Sequence, residues 1–345
     1  MADSPLDDIL GRNPSYEREI WAWLIIGVAV VFLRFTVRIS MDGLAGFKGD
    51  DYAMIATSLM YSVSFVVLDA IYHYGTNVDL TVDQIRDLSD EEVARVVHGS
   101  QFQLAAWYLY ASMLWSMKGG VLLFYKRLTF DLWRNSRYLT YLTLLTILSY
   151  LTVVGTISFG CLPYHHNWGV RPLPSERCVY KTQNLLATTF LNILTDVAIL
   201  SLPMLPLGKI RVPVYKRILI ILLVCSGIYF ITAAIMRVVV TLRSERSTLV
   251  VNLWGTRELG VGLIATNAPS LRPLFSRRFW HRHHQPPPRS PDVINSMRGS
   301  GIATGRRQRT VRHDSILGWI NSTPSTLGTI TESQRRQGPT DEERG

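Results

Sequence analysis

Seven long apolar stretches constrain this chain more than any other feature of its sequence. They lie near residues 20–39, 52–75, 102–125, 139–161, 184–207, 216–240 and 250–273. The hydrocarbon core of a bilayer is about 30 Å thick, and a helix rising about 1.5 Å per residue crosses it in about 20 residues. Because lipid offers no partner for an unpaired backbone amide, each stretch is predicted to be a helix. The sequence therefore predicts an all-α, polytopic membrane protein, a bundle of seven transmembrane helices in the lipid bilayer.

The basic residues indicate which way the bundle faces. The formal charge is +10, but Lys and Arg lie mainly at helix ends and in the C-terminal tail. This distribution differs from a basic soluble face and argues against nucleic-acid binding. With the N-terminus outside, more Lys and Arg fall on the inner loops, and the outer residues 79–92 are strongly acidic. The positive-inside rule then predicts the N-terminus out and the C-terminus in.

Composition divides the chain into three parts. Residues 1–19 form a predicted extracytoplasmic segment, residues 20–275 the membrane domain, and residues 276–345 a basic tail rich in Pro, Arg, Ser and Thr. Such a tail cannot bury enough apolar surface to offset its ordering entropy, so we predict it to be disordered and cytosolic. The predicted localisation is a multi-pass membrane protein, with plasma membrane and endomembrane both open.

Two of the three cysteines flank one predicted outer loop. Cys161 and Cys178 lie at its ends, and Trp168 lies between them. An oxidising exterior favours a disulfide bond that closes this loop; the alternative is two free thiols at the membrane boundary. No set of Cys and His residues has the spacing of a metal site, so we predict no metal.

Two charged pairs lie at the predicted inner boundary. Arg34 and Arg38 end the first span, and we expect them to snorkel toward the headgroups along their aliphatic stems. Asp50 and Asp51 open the second span. They either cap this helix or form ion pairs with inner basic residues, and the position at a helix N-terminus favours capping and packing.

Charged residues inside the spans are the strongest indication of a site, because a charge at the bilayer centre costs roughly 2.5–3.5 kcal/mol on insertion scales. Lys118 lies in the third span beside Gly119 and Gly120, which would let another helix approach closely. The other candidates lie in the fifth, sixth and seventh spans: Asn192, Asp196, Arg237, Trp254 and Glu258. The set is either a structural ion network or a ligand-binding polar core.

These residues belong to an ordered series of motifs. The series comprises Asp50-Asp51, Lys118 with Leu122-Leu123-Phe124-Tyr125, the Cys161–Trp168–Cys178 loop, Asn192-x-x-x-Asp196 with Leu202-Pro203, Gly227 to Arg237, and Trp254-x-x-x-Glu258 with Ala268-Pro269. Over residues 21–275 it resembles the fungal rhodopsin-domain family of seven-helix integral membrane proteins. That family includes receptor-like proteins of plant-infecting fungi and membrane proteins encoded in secondary-metabolite gene clusters.

The resemblance does not imply a retinal cofactor. Retinal proteins hold the chromophore as a Schiff base on a lysine of the last helix, and residues 250–273 contain no lysine. We therefore predict no retinal and no other cofactor.

Three functions from different classes remain. The resemblance and the topology favour a receptor-like protein that senses a small apolar ligand and signals to a cytosolic partner through its inner loops and tail. The first alternative is a membrane-embedded enzyme of cyclase or isomerase type, or an accessory protein, of a secondary-metabolite pathway, with Asp196 or Glu258 as general acid. The second is a transporter or efflux component, against which stand the odd helix count and the absence of a duplicated half. The sequence leans against catalysis, assigns no catalytic residue and does not identify the ligand.

Overall fold

The computed structural model describes most of the membrane domain. The described residues are 13–43, 46–129, 136–207, 227–229, 231–240 and 247–271, with Leu6, Leu10 and Cys225. They are mainly helical and include no strand, so the all-α prediction is confirmed for this part of the chain. The predicted disordered tail, residues 276–345, lies outside the described residues, as does most of the first half of the sixth predicted span.

The described helices follow the predicted spans closely. They are α1 (Pro14–Asp42), α2 (Gly49–Tyr74), α3 (Val82–Asp87), α4 (Asp90–Thr129), α5 (Ser136–Phe159), α6 (Glu176–Tyr180), α7 (Thr182–Leu207), α8 (Gly227–Val240) and α9 (Thr248–Leu271). Among the described residues four segments are long and apolar enough to cross a membrane: Pro14–Met41, Gly49–Tyr74, Arg137–Phe159 and Glu176–Leu202. The third and seventh predicted spans correspond to α4 and α9, which carry charged side chains in mid-helix.

The helix α4 begins well before its apolar stretch. Its first residue is Asp90 rather than a residue near position 102. Ser89 and Glu92 explain this start, because the backbone N–H and the hydroxyl of Ser89 both donate to Glu92 Oε2, at 2.9 and 2.8 Å. A capped N-terminus with acidic residues stabilises a helix in water, which accounts for the extension of α4 before its apolar stretch.

Aromatic and aliphatic side chains of five helices form the main core. α2 packs most extensively on α4, and α9 packs on α1. The core contains buried side chains of α1, α2, α4, α5 and α9, among them Tyr61, Met113, Ile157 and Leu263. Phe32, Leu148 and Phe190, by contrast, are exposed apolar side chains on α1, α5 and α7. Such outward apolar faces suit a lipid environment.

Cys161 and Cys178 form a disulfide bond, which confirms the predicted pairing. We call this part of the bundle the disulfide end; it comprises residues 75–89, the start of α4 and the 161–181 loop. A small apolar cluster covers it, with Leu80, Ile85 and Val170 buried together. The opposite end, where Arg34, Arg38, Asp50 and Asp51 meet, is called the arginine end.

Gly99 is the point of closest approach between α4 and the end of α2. A Cβ atom at Gly99 would overlap the carbonyl oxygen of Gly75. Gly75 itself adopts φ 71° and closes α2 by donating its N–H to Ile71 O at 2.9 Å. Among the described residues nothing lies within 4 Å of a Cβ built at Gly119 or Gly120, so this part of the chain does not make the close approach expected there.

Gly99→Ala and Gly119→Ala are therefore expected to shift stability in opposite directions. At Gly99 the methyl group meets backbone, which we expect to lower the free energy of unfolding by about 1–3 kcal/mol. At Gly119 the space is open, and Ala favours a helix over Gly by up to about 1 kcal/mol. Thermal unfolding of both variants in lipid nanodiscs measures the difference; equal effects at the two positions would contradict the close contact.

Candidate functional site

Lys118 and Asp196 form a buried ion pair between α4 and α7. The Lys118 ammonium lies 2.7 Å from Asp196 Oδ1, and the two side chains are 8% and 12% exposed. Lys118 also donates to the Asn192 carbonyl at 2.8 Å and to Thr195 Oγ1 at 2.7 Å. All three N–H groups of the ammonium thus have an acceptor.

Glu258 connects α9 to α4 and α7 through hydrogen bonds. Tyr110 of α4 donates its hydroxyl to Glu258 Oε2 at 2.6 Å. The Asn192 side chain of α7 donates Nδ2 to Glu258 Oε1 at 3.2 Å. Because Asn192 also binds Lys118 through its carbonyl, Glu258 and the Lys118–Asp196 pair share one residue.

The guanidinium of Arg237 completes this arrangement from α8. It lies over the ring of Tyr110, with 4.3 Å between Cζ and the ring centroid, a cation–π geometry. Arg237 is 3% exposed and Glu258 is fully buried. We call these residues of α4, α7, α8 and α9 the polar core: Tyr110, Lys118, Asn192, Asp196, Arg237 and Glu258.

Trp254 lies apart from the polar core. Its ring contacts Arg257, at 5.1 Å from Cζ to the ring centroid. Arg257 in turn forms a bidentate pair with Glu19 of α1, at 2.6 and 2.9 Å. The structure thus brings five of the six candidate residues together and places Trp254 at the contact between α9 and α1.

Two neighbouring cavities lie between the polar core and the disulfide end. The upper cavity is lined by Tyr61, Phe65, Trp107, Tyr110 and Arg237, and its empty volume is about 520 Å³ with open solvent included. The entrance cavity above it is lined by residues of the disulfide end and of α9, among them Lys181 and Thr248. Gln103, Trp107 and Val251 line both cavities.

Gln103, which lines both cavities, forms a polar pair with Asn252, which lines the upper one. Gln103 and Asn252 exchange hydrogen bonds through their side-chain amides, at 3.2 and 2.8 Å. Each side-chain amide has both a donor and an acceptor. A ligand that offers a donor or an acceptor can therefore take the place of one amide as the partner of the other. Aromatic walls with a few converging polar groups are typical of small-molecule sites.

Sequence reasoning missed Gln103, Trp107 and Tyr110 because none is charged. A signal was present, since the three residues follow one another at helical spacing and therefore share a face of α4. That face points toward α9, where Asn252 and Glu258 lie. A search for polar and aromatic residues at this spacing, in addition to charges, finds the site.

The arginine end holds a second buried charge cluster. Arg34 donates to Asp50 Oδ2 at 3.0 Å and to Asp51 Oδ1 at 2.9 Å. Arg38 donates to Asp51 Oδ2 at 3.1 Å, and both guanidiniums are buried. They do not snorkel as expected, because both form ion pairs with the two carboxylates inside the bundle.

Asp51 fulfils both roles considered for the acidic pair. It caps α2, since its Oδ2 accepts the Lys48 N–H at 3.0 Å, and it binds both arginines. Asn267 of α9 joins the cluster through a 3.4 Å hydrogen bond from Arg34. The ion-pair interpretation and the capping interpretation therefore hold together.

The remaining motif residues have structural surroundings. Trp168 packs edge-on against Tyr164, with ring centroids 5.5 Å apart, within the disulfide loop. Pro203 lies within α7, and its side chain is outside the described atoms. Pro269 lies inside the last turn of α9 and lines a small cavity beside Arg34 and Asp50. Among the described residues, no three His, Cys, Asp or Glu side chains lie where they could hold a metal ion.

Asp79, outside the spans, fastens the disulfide end to α9. Its two oxygens accept the Thr248 N–H at 2.9 Å and the Thr76 hydroxyl at 2.7 Å. The two threonine hydroxyls also lie 2.7 Å apart. Burial raises the pKa of Asp79, and these hydrogen bonds lower it only in part.

The Asp79 pKa predicts a specific pH dependence. A carboxyl group whose pKa is higher in the folded state stabilises the fold when protonated, so its contribution is lost as pH rises from about 4, the unfolded value. Asp79→Asn keeps one of the two acceptor oxygens, replaces the other with an amide donor and removes the charge. We expect the melting temperature of this variant to rise relative to wild type as pH increases from 4 to 7. Asp83→Asn, at an exposed position, is the control; a pH-independent difference for Asp79→Asn would contradict the prediction.

Comparison with known proteins identifies relatives of the chain. A family model described as fungal rhodopsin domain matches residues 33–277. A SAT4 family membrane protein of Emericella nidulans is 26% identical over 191 residues, which cover 55% of this chain and 47% of that protein. The chain thus spans about half the length of the curated relative it matches. No solved structure shows significant similarity to it. These matches confirm the resemblance seen in the motif series and the predicted multi-pass membrane localisation.

Proposed function

Because this chain belongs to the fungal rhodopsin domain family, we propose that it is a receptor-like membrane protein for a small apolar ligand. In this proposal seven helices cross the bilayer, the sixth including α8, with the N-terminus outside and the C-terminus inside. The disulfide end is then the outer end, which agrees with the oxidising environment that disulfide bonds require. Ligand enters under the Cys161–Cys178 loop.

The pair of neighbouring cavities is the observation that carries this proposal. The entrance cavity is lined by the residues that follow Cys178, and the upper cavity, which shares Gln103, Trp107 and Val251 with it, is lined by Tyr110. The walls of the upper cavity are mainly apolar and aromatic, which favours an apolar ligand. The entrance cavity also carries polar residues, among them Asn77, Lys181 and Thr248. Gln103, Asn252 and Arg237 supply the few polar groups that would orient it.

The polar core supplies a physical route from the ligand to the inner half of the bundle. A ligand that displaces Tyr110 or Arg237 changes the partners of Glu258, which is fully buried and bound to Tyr110. Glu258 binds Asn192, and Asn192 binds Lys118. Helix packing then shifts according to the ligand's different affinity for the two arrangements, and the inner loops and tail report the shift to a cytosolic partner.

Metabolite profiling of the source organism, with and without the gene, tests the receptor proposal. We expect an unchanged set of metabolites under producing conditions, together with an altered response to external compounds. A gene copy lacking residues 281–345 is expected to restore ligand binding but not the response. Loss of one compound, with its immediate precursor accumulating, would contradict the receptor proposal.

One observation supports a second candidate, an embedded enzyme or accessory protein of a secondary-metabolite pathway. The Tyr110 hydroxyl, 2.6 Å from Glu258 Oε2, lies at the floor of the upper cavity and could relay a proton to an apolar substrate. Glu258→Gln would then abolish product formation while the protein remained at its normal level in the membrane. Product formation at the wild-type rate in this variant would exclude this candidate mechanism.

A further inference from the structure

A third cavity lies on the other side of the polar core, toward the arginine end. We call it the lower cavity. Lys118 lines it and lies about 12 Å further along α4 than Tyr110, since a helix rises about 1.5 Å per residue. Residues of α4, α7, α8 and α9 line the lower cavity, and its empty volume is about 630 Å³ with open solvent included. The lining is mainly apolar, with Leu114, Val121 and Ile199 among its residues.

Asn192 lines the lower cavity and carries a buried acceptor that has no partner among the described residues. Its side-chain Nδ2 donates to Glu258, and its backbone carbonyl oxygen accepts from Lys118. Its Oδ1 has no hydrogen-bond partner among the described residues, although the residue is only 1% exposed. A buried acceptor without a partner is unfavourable, so a ligand that supplies a donor to this oxygen would be stabilised here.

The Lys118–Asp196 ion pair indicates which charge a ligand of this cavity can carry. Lys118 has used its three N–H groups on Asp196, Asn192 and Thr195, so it has none to offer an anionic ligand. The two charges also balance each other. A cationic ligand would therefore bring an uncompensated charge into the membrane, whereas a neutral hydroxyl group would not.

We propose that the lower cavity is a second ligand site, which binds a neutral apolar alcohol whose hydroxyl donates to Asn192 Oδ1. The apolar body of the ligand lies against Leu114, Val121 and Ile199. This site is separate from the upper cavity but shares Asn192 with Glu258. An occupant of the lower cavity therefore changes the same hydrogen bonds that form the floor of the upper one.

A photoreactive probe tests this site in the full-length protein. The protein in lipid nanodiscs is irradiated with a diazirine derivative of dodecan-1-ol, and peptides are analysed by mass spectrometry. We expect saturable labelling of residues 114–121 and 192–200. The methyl ether of the same probe has no donor, and we expect at least about tenfold less labelling, the effect of losing one such hydrogen bond. Equal labelling by the alcohol and the ether would overturn the proposal.

A matched pair of variants on α4 controls for labelling from the lipid. Val121→Phe fills the lower cavity, whereas Leu123→Phe places the same ring at an exposed position, 41% exposed in the native protein. We expect Val121→Phe to lose at least tenfold in labelling and Leu123→Phe to retain it. Retained labelling in both variants would show that the probe labels from bulk lipid, and loss in both would show that filling the lower cavity is not what excludes it; either result would overturn the proposal.

Asn192→Leu tests the hydrogen bond itself. This variant removes the acceptor, so we expect the alcohol and the ether to label it equally. Persistent preference for the alcohol would overturn the role of Asn192 Oδ1. If the variant does not fold, the ether comparison and the α4 pair still decide the proposal. The upper cavity is unchanged in Val121→Phe, so failure here leaves the receptor proposal standing.

Discussion

Lys118→Met is expected to lower the free energy of unfolding by about 3–5 kcal/mol, the cost of breaking a buried ion pair on one side. The substitution keeps the shape and apolar stem of the side chain. It leaves the Asp196 carboxylate, 12% exposed, without its cation. It also removes the donor of the Asn192 carbonyl and of the Thr195 hydroxyl.

A double-mutant cycle measures the pair directly. Asp196→Leu alone is expected to cost about as much, because it leaves Lys118 charged and buried. The double variant Lys118→Met with Asp196→Leu is expected to recover part of the loss, since neither charge remains. Lys126→Met, at an exposed position of the same helix, is the control and should stay within about 0.5 kcal/mol of wild type. Losses that simply add would contradict the ion pair.

Asp51→Asn is expected to be the second strongly destabilising change, by about 3–5 kcal/mol. Asp51 is fully buried and holds two guanidinium groups, those of Arg34 and Arg38. Asparagine keeps the volume and one acceptor oxygen, but it removes the charge and turns a donor toward an arginine. The α2 cap on the Lys48 N–H weakens as well.

The control for this substitution lies on the same helix. Asp69→Asn changes a carboxylate that is 34% exposed and 3.8 Å from His73. Because an exposed pair of this kind is worth little, we expect at most about 1 kcal/mol. Thermal unfolding in nanodiscs compares the two variants; equal losses for both would mean that the arginine cluster contributes no more than a surface pair.

Hydropathy predicted the helices in lipid far better than the structure beyond the lipid. α1, α2, α5 and α7 follow their predicted spans because a continuous apolar run of this length permits no other conformation in a bilayer. The start of α4 at Asp90, the short helix α3 and the apolar cluster around Leu80 and Val170 were not predicted. These parts depend on capping by Ser89 and Thr81 and on contacts between distant segments, which leave no apolar run.

The members of the polar core were predictable, but their pairing was not. A charge in an apolar span needs a partner, so Lys118, Asp196, Arg237 and Glu258 stood out at once. Which side chain meets which depends on helix rotation and register, which one sequence does not contain. Tyr110 is the clearest example: its hydroxyl and its ring connect Glu258 with Arg237, although it carries no charge.

At the two ends of the bundle, too, the sequence indicated which residues take part but not all of their contacts. Arg34 and Arg38 were expected to reach the headgroups, as arginines near a helix end commonly do. The structure buries both, because Asp50 and Asp51 at the start of α2 lie close enough to form ion pairs with them. The disulfide bond was predictable, since two cysteines flanked one loop on the side predicted to be outside.

The central claim is that the upper cavity receives a small apolar ligand. Ala106 and Ala105 of α4 offer a matched pair for testing it, because Ala106 lines the upper cavity and Ala105 does not. Ala106→Phe fills the cavity, whereas Ala105→Phe adds the same ring at the neighbouring position.

Mass spectrometry of bound small molecules is the most direct measurement. The full-length protein in nanodiscs is incubated with an organic extract of the source organism's culture and then repurified. We predict a compound enriched with wild type and with Ala105→Phe, and reduced at least tenfold with Ala106→Phe, all three being present as folded protein. Bound compounds that are the same and equally abundant in all three proteins would contradict the claim.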